Sequence, residues 1–353
     1  MSDPTGKQAT YRVVQWATGN IGTKSLQGVI GHPQLTLVGL YVTSEAKEGR
    51  DAGELAGLEP TGVLATREVA DILALKPDCV LYMQQGVDVD VICSLLESGI
   101  NVVTTAGMFH HPPSVDPEVR RQVEAACRRG GASIHSTGSS PGFISEAVTL
   151  VMTSLQRRLD RLHIGEFADV SSRNSPELLF DIMGFGKDPS EFDAARWEFG
   201  AGSFGPSLRL LGDAIGMPID SVTSSGGVAV ANRTLEIAAG TLPRGTVAAQ
   251  KMNVSGWHQG RELLGFSATW FCSSEVDADW DFRQGGWRMV VEGDSPLDVE
   301  VRLDIPLERM AETTPGYTAN RAVNAVPVVC DAPAGIRTTV DLPQIIANLG
   351  GPA

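Results

Sequence analysis

The sequence predicts an α/β chain: an N-terminal, doubly wound parallel sheet followed by a second α+β domain on a mixed or antiparallel sheet. Three observations carry this. Short apolar runs alternate with helix-length segments as far as Thr137. A glycine-spaced turn, Ala17-Thr18-Gly19-Asn20-Ile21-Gly22, joins the first run to the first helix. From Arg161 onward the texture changes to alternating polarity with turn signals between the strands.

The runs at residues 13–16, 36–42, 79–83, 101–105 and 132–137 are continuously apolar or β-rich. Such strands suit a parallel sheet covered on both faces. Gly138-Ser139-Ser140-Pro141-Gly142-Phe143 then forms a turn-rich segment that opens a long apolar helix through Leu155. Residues 161–170 alternate like a half-buried strand, and further strands are expected at 223–229, 234–238, 246–256, 262–272, 287–292 and 299–305. Helices are expected at 190–198, 207–215, 318–329 and 341–348, with a loop at 331–335. The expected division is residues 1–145, the doubly wound domain; 146–311, the α+β domain; and 312–353, a helical segment returning to the first. No linker separates them, which predicts a shared interface with a cleft.

The turn has a specific chemistry. Ala17, Gly19 and Gly22 occupy the three positions of a dinucleotide fingerprint, with alanine at the first. Gly19 lacks a Cβ, so backbone can approach a pyrophosphate. Gly22 lets the helix pack on the strand, and the helix N-terminus offers unpaired N–H groups to the anion. Ala17, Thr18, Gly19, Asn20, Ile21 and Gly22 are thus expected to bind a dinucleotide in a Rossmann domain. At the end of the second strand, NAD-specific domains place an acid about 20 residues past the motif. Here Thr43 and Ser44 stand at that point, followed by Lys47 and Arg50, with no acid until Glu45. Hydroxyls and cations suit a 2′-phosphate, so NADP is expected and NAD is the alternative. Gln85 and Thr105, just past the third and fourth strands, and Ser140 and Pro141 complete the expected cofactor contacts.

Bulk properties narrow the partners. At 353 residues, 42% hydrophobic and 20% charged, the chain can bury two cores. The net charge of −14 argues against nucleic acid or an anionic membrane. The polar first ten residues do not read as a signal peptide, and no run approaches ~18 apolar residues. Cys79, Cys93, Cys127, Cys272 and Cys330 are widely spaced and read as thiols of a cytoplasmic protein. Six scattered histidines offer no metal-binding spacing.

Several segments together resemble the dihydrodipicolinate reductase-like proteins, in their 2,4-diaminopentanoate dehydrogenase and native amine dehydrogenase branch. They are residues 16–22, Gly49-Arg50-Asp51-Ala52-Gly53-Glu54, 101–112, 136–143, Met183-Gly184-Phe185-Gly186 and Val323-Asn324-Ala325-Val326-Pro327. The resemblance, strongest to actinobacterial members, implies a homodimer that transfers hydride from NAD(P)H to an imine formed from ammonia and a carbonyl compound. It also implies a glutamate in the turn after the fourth strand. That turn reads Thr105-Ala106-Gly107-Met108-Phe109-His110-His111-Pro112, without a carboxylate. Met108 or Gly107 takes the glutamate's place, and neither exchanges a proton. His110 and His111 are candidate acids, against a plain reading as partly exposed loop residues. Glu146 is another candidate, against a plain reading as an acid favoured at a helix N-terminus. The reductases' paired-histidine motif is not reproduced around residues 173–174 or 257–258, which argues against dihydrodipicolinate itself.

The expected function is reduction of a C=N or C=O bond in a small, largely apolar substrate. One alternative is an ammonia-independent carbonyl or ene reductase. Another is a catalytically silent NADP-binding sensor or partner protein, motivated by the missing acid.

Overall fold

The computed structural model describes residues 10–350. The polar N-terminal stretch lies, as far as residue 9, outside them. The chain divides into two compact units, residues 1–143 with 315–353, and residues 144–314.

Unit 1 begins β1 (Tyr11–Trp16), α1 (Asn20–Ile30), β2 (Leu35–Tyr41), α2 (Ala52–Ala56), β3 (Ala65–Thr66) and α3 (Val69–Leu75). It continues β4 (Cys79–Tyr82), α4 (Val89–Glu97), β5 (Asn101–Thr104), α5 (Pro117–Gly130) and β6 (Ser133–Ser136). Successive strand residues point to opposite faces, and both faces are covered. Val14, Trp16, Val80, Tyr82 and Val102 pack with Ile92, Leu95, Val123 and Cys127 of α4 and α5. Val13, Cys79, Leu81 and Val103 pack on the other side against Val29 and against Ala322, Val323, Val326 and Val329. That second helix surface comes from the C-terminal part of the chain. Local signals set the helix ends. For α5, Asp116 caps the Glu118 and Val119 N–H groups, Pro117 starts the helix, and Gly131 at φ 69° stops it.

Unit 2 holds α6 (Thr149–Thr153), β7 (Leu159–Asp169), α7 (Ala194–Ala214), β8 (Ser221–Val230), the small hairpin β9 (Leu235–Ile237) and β10 (Gly240–Leu242), and β11 (Val247–His258). β12 (Arg261–Phe271), β13 (Gly285–Gly293) and β14 (Leu297–Arg302) complete its sheet. The order is β14-β13-β7-β12-β11-β8, with β7 and β12 parallel and the other neighbours antiparallel. One sheet face buries Leu162, Ile164, Met252, Val254, Phe266 and Met289 against Trp197, Phe204, Leu208 and Leu211 of α7. α8 (Leu307–Cys330) carries the chain back into unit 1, where β15 (Gly335–Arg337) pairs with β6. The unit 1 sheet is then β15-β6-β5-β4-β1-β2-β3, parallel throughout.

The sequence expectations need four corrections. The two helices expected at 190–198 and 207–215 are one, α7, running through Gly200, Gly205 and Pro206. Those glycines serve packing: a Cβ on Gly200 would lie 2.3 Å from the Met252 sulfur, and one on Gly205 3.2 Å from Val222. The helix expected at 341–348 is absent. Asp341 instead accepts from the Thr338 N–H and hydroxyl, closing a turn, and Pro343 disfavours helical backbone at Leu342. The helix opened by the turn-rich 138–143 segment, which is non-helical at residues 140–142, ends at Thr153, short of the expected Leu155. β15, only three residues long, carried no periodic signal and was not expected.

Candidate active site

The carboxyl ends of β1, β4, β5 and β6 lie side by side, and the strand order reverses between β1 and β4. That is where a doubly wound sheet opens a crevice for a ligand. The glycine turn sits at its edge. Ala17 adopts φ 69°, the left-handed conformation for which the fingerprint normally uses glycine. Two neighbours hold it there. Its N–H donates to the Tyr41 carbonyl at 2.8 Å, and the buried Gln15 Nε2 donates to its carbonyl at 2.9 Å. Trp16, stacked on Tyr41 with centroids 3.7 Å apart, donates through Nε1 to Gln84 at 3.0 Å.

The turn fits a dinucleotide on two counts. A Cβ on Gly22 would collide with the Ala17 carbonyl oxygen at 2.3 Å, so that glycine is demanded by packing. A Cβ on Gly19 would meet nothing within 4 Å, so open space lies where a pyrophosphate needs it. Gly19 caps α1 without a side chain and the first turn carries no acid, leaving the N–H groups of Asn20, Ile21 and Gly22 for an anion. At the β6 end, the buried hydroxyls of Thr137 and Ser140 have no partner among the described residues. Orphaned donors of that kind ask for a polar ligand. Thr137 was not expected from the sequence; its position at the tip of a strand gave no signal of a free hydroxyl.

The other expected residues fall as follows. Lys47 reaches the turn, its Nζ 3.0 Å from both the carbonyl and the hydroxyl of Thr18. Thr43, Ser44 and Arg50 are exposed at the same end of β2. Gln85 is exposed beyond β4, and Thr105 is half-buried beyond β5. Ser139 donates to or accepts from Thr318 at 2.7 Å, fixing the segment that carries Ser140 and Pro141.

In the turn after β5, Met108 is 38% exposed while Phe109 is fully buried. The plain reading of His110 and His111 as exposed loop residues is corrected: they are only 2% and 7% exposed. His111 Nδ1 lies 2.7 Å from the Ser114 hydroxyl. Glu146 is fully buried, three residues into unit 2. The Asp51 of the Gly49–Glu54 segment has a structural task. It accepts from the N–H groups of Gly53 at 2.7 Å, Thr61 at 2.9 Å and Gly62 at 2.7 Å, and those bonds, the Thr61 one foremost, hold its carboxyl below the usual range.

Unit 2 by itself holds two charged groups that were not expected. Arg173, following β7, has the Thr314 hydroxyl at 3.3 Å as its hydrogen-bond partner, and burial lowers its pKa. Glu166, in the middle of β7, accepts from the Trp287 indole at 3.1 Å and the Trp270 indole at 3.3 Å. Only strand pairing brings Glu166, Trp270 and Trp287 together, which is why no local signal revealed the acid between the two indoles.

Comparison with known proteins adds the following. Residues 143–351 match the family described as the 2,4-diaminopentanoate dehydrogenase C-terminal domain. An amine dehydrogenase of Streptomyces virginiae is 27% identical, over 96% of this chain and 98% of its own. A 2,4-diaminopentanoate dehydrogenase of Acetoanaerobium sticklandii is 22% identical, over 92% and 87%. The structure of an amine dehydrogenase from Mycobacterium smegmatis superposes with a TM-score of 0.78, covering 97% of this chain and 98% of its own, at 21% identity.

Proposed function

Because the chain belongs to the 2,4-diaminopentanoate dehydrogenase family, we propose that it is an NADP-preferring oxidoreductase acting on the C=N or CH–NH2 bond of a small, largely apolar substrate. The single observation that carries the redox chemistry is the α1 N-terminus, uncapped and facing open space at Gly19. The nicotinamide supplies the hydride when bound. The chain supplies position: main-chain N–H groups of residues 20–22 for the pyrophosphate, and the Thr137 and Ser140 hydroxyls toward the far end. Thr43, Ser44, Lys47 and Arg50 offer hydroxyls and two cations for a 2′-phosphate, which favours NADP over NAD. His110, His111 and Glu146 are the candidates for handling the proton, since Met108 cannot. By the same reading the protein is a cytoplasmic homodimer with a small-molecule substrate, and it binds neither nucleic acid nor membrane. No helix among the described residues is long and apolar enough to cross a membrane.

Met108 favours a second reading, an ammonia-independent carbonyl or ene reductase. NADPH consumption on a ketone panel, with and without ammonium, separates the two. Ammonium-dependent turnover supports the first reading, and equal turnover without ammonium overturns it.

A further inference from the structure

We propose that Glu166, framed by Trp270 and Trp287, is a binding site for an N–H cation: ammonium, or the protonated amine of a substrate. The site is built by register. Glu166 stands opposite Trp287 on β13 and opposite Ala268 on β12. Trp270, two residues on from Ala268, shares that face. It is the face that buries Leu162 and Ile164 completely, yet Glu166 and Trp270 are only half-buried, so the apolar face opens where the acid sits.

The bonding leaves the carboxylate with capacity. An ionised carboxylate offers about four lone-pair sites, and the indoles occupy one on each oxygen. Indole N–H groups are neutral donors: they fix the orientation of the acid without cancelling its charge. Among the described residues no lysine, arginine or histidine pairs with it, whereas Arg161, Arg233, Arg283 and Arg288 elsewhere in unit 2 all have carboxylate partners. A half-buried, oriented and uncompensated carboxylate on an apolar face selects a cation that can donate hydrogen bonds. The inference rests on the amine reading above.

Tryptophan emission reads the site directly, because two of its members are indoles. The NADPH-bound protein is titrated with ammonium chloride, a primary alkylammonium, tetramethylammonium and the matching neutral alcohol. Saturable changes with the first two alone are expected, and Glu166→Gln weakens them at least tenfold while melting as the wild type does. A response to alkylammonium without ammonium assigns the site to the substrate amine. The reverse assigns it to free ammonia. Trp270→Phe retains the charge, and so retains binding within a few-fold with a smaller emission change. An equal response to tetramethylammonium or the alcohol, which needs no variant, overturns the proposal, as does an unaltered titration in Glu166→Gln. If turnover proves independent of ammonium and no amine is oxidised, the amine reading fails, and the titration still judges Glu166 by itself.

Discussion

The Nζ of Lys47 lies 3.0 Å from both the carbonyl and the hydroxyl oxygen of Thr18, tying the end of β2 to the glycine turn. The cation is therefore held beside the α1 N-terminus rather than left to solvent. An ammonium has three donors, and these two contacts leave one for a ligand. Lys47→Gln is expected to raise the NADPH dissociation constant about tenfold and that of NADH less, since a charge-assisted hydrogen bond contributes about 1.5–3 kcal/mol and about 1.4 kcal/mol is tenfold. Calorimetric titration with both nucleotides checks this. Unchanged NADPH affinity removes Lys47 from the cofactor site.

Gly19 and Ala17 separate binding from folding. Gly19→Ala adds a Cβ into open space at φ −73°, so stability should hold within about 0.5 kcal/mol. The same Cβ enters the space assigned to the pyrophosphate, so dinucleotide affinity should fall at least about tenfold, a cost of about 1.4 kcal/mol. Ala17→Gly relieves a left-handed alanine by about 1 kcal/mol and should raise the melting temperature by about 2–4 °C. Differential scanning calorimetry and nucleotide titration on both variants read the two effects.

Asp51 organises the loop that follows the second strand. Its three main-chain bonds favour the ionised form, so its folded pKa lies below the unfolded one. That contribution is present above the unfolded pKa and is lost as pH falls through the folded value. Asp51→Asn turns an amide against backbone donors. Faster hydrogen exchange at Gly53, Thr61 and Gly62 is expected, and unchanged exchange would show that the loop is held by other contacts.

His163 sets a distinct acid limb. Burial first, then the charge of Arg161, lowers its pKa from the usual 6.5 to about 4. The folded state keeps it neutral, with Nε2 2.9 Å from the Ser267 hydroxyl, while the unfolded chain protonates it. Stability is complete above pH 6.5 and falls as the pH drops to about 4, because the unfolded state binds the extra proton there. The carboxylates with lowered pKa values act lower, Asp51, Asp188, Asp294 and Asp298 below their usual 3.8 and Glu275 below its usual 4.5. His163→Gln should therefore lessen the fall of the melting temperature between pH 6.5 and 4, leaving the part due to His32, whose pKa burial also lowers, and spare the lower limb.

Most of unit 1 was legible because its signals are local. A strand, a glycine turn and a helix within twenty residues constrain one another, and a parallel strand buried on both faces must be apolar throughout. The errors came where a residue type had two uses. No helix was expected between residues 198 and 207, yet α7 runs through them, and Gly200 and Gly205 are small so that it can approach Met252 and Val222. A helix was expected at 341–348, but Pro343 and the Asp341 bonds to Thr338 made a turn.

By itself the sequence determined the doubly wound sheet, the dinucleotide turn and the absence of an acid at Met108, since each is written in contiguous residues. Only the tertiary structure decided that His110 and His111 are buried, that Lys47 reaches Thr18, and that Glu166 lies between Trp270 and Trp287. Those relationships join residues 29, 104 and 121 positions apart. Strand register and burial create them, and neither exists in a chain before it folds.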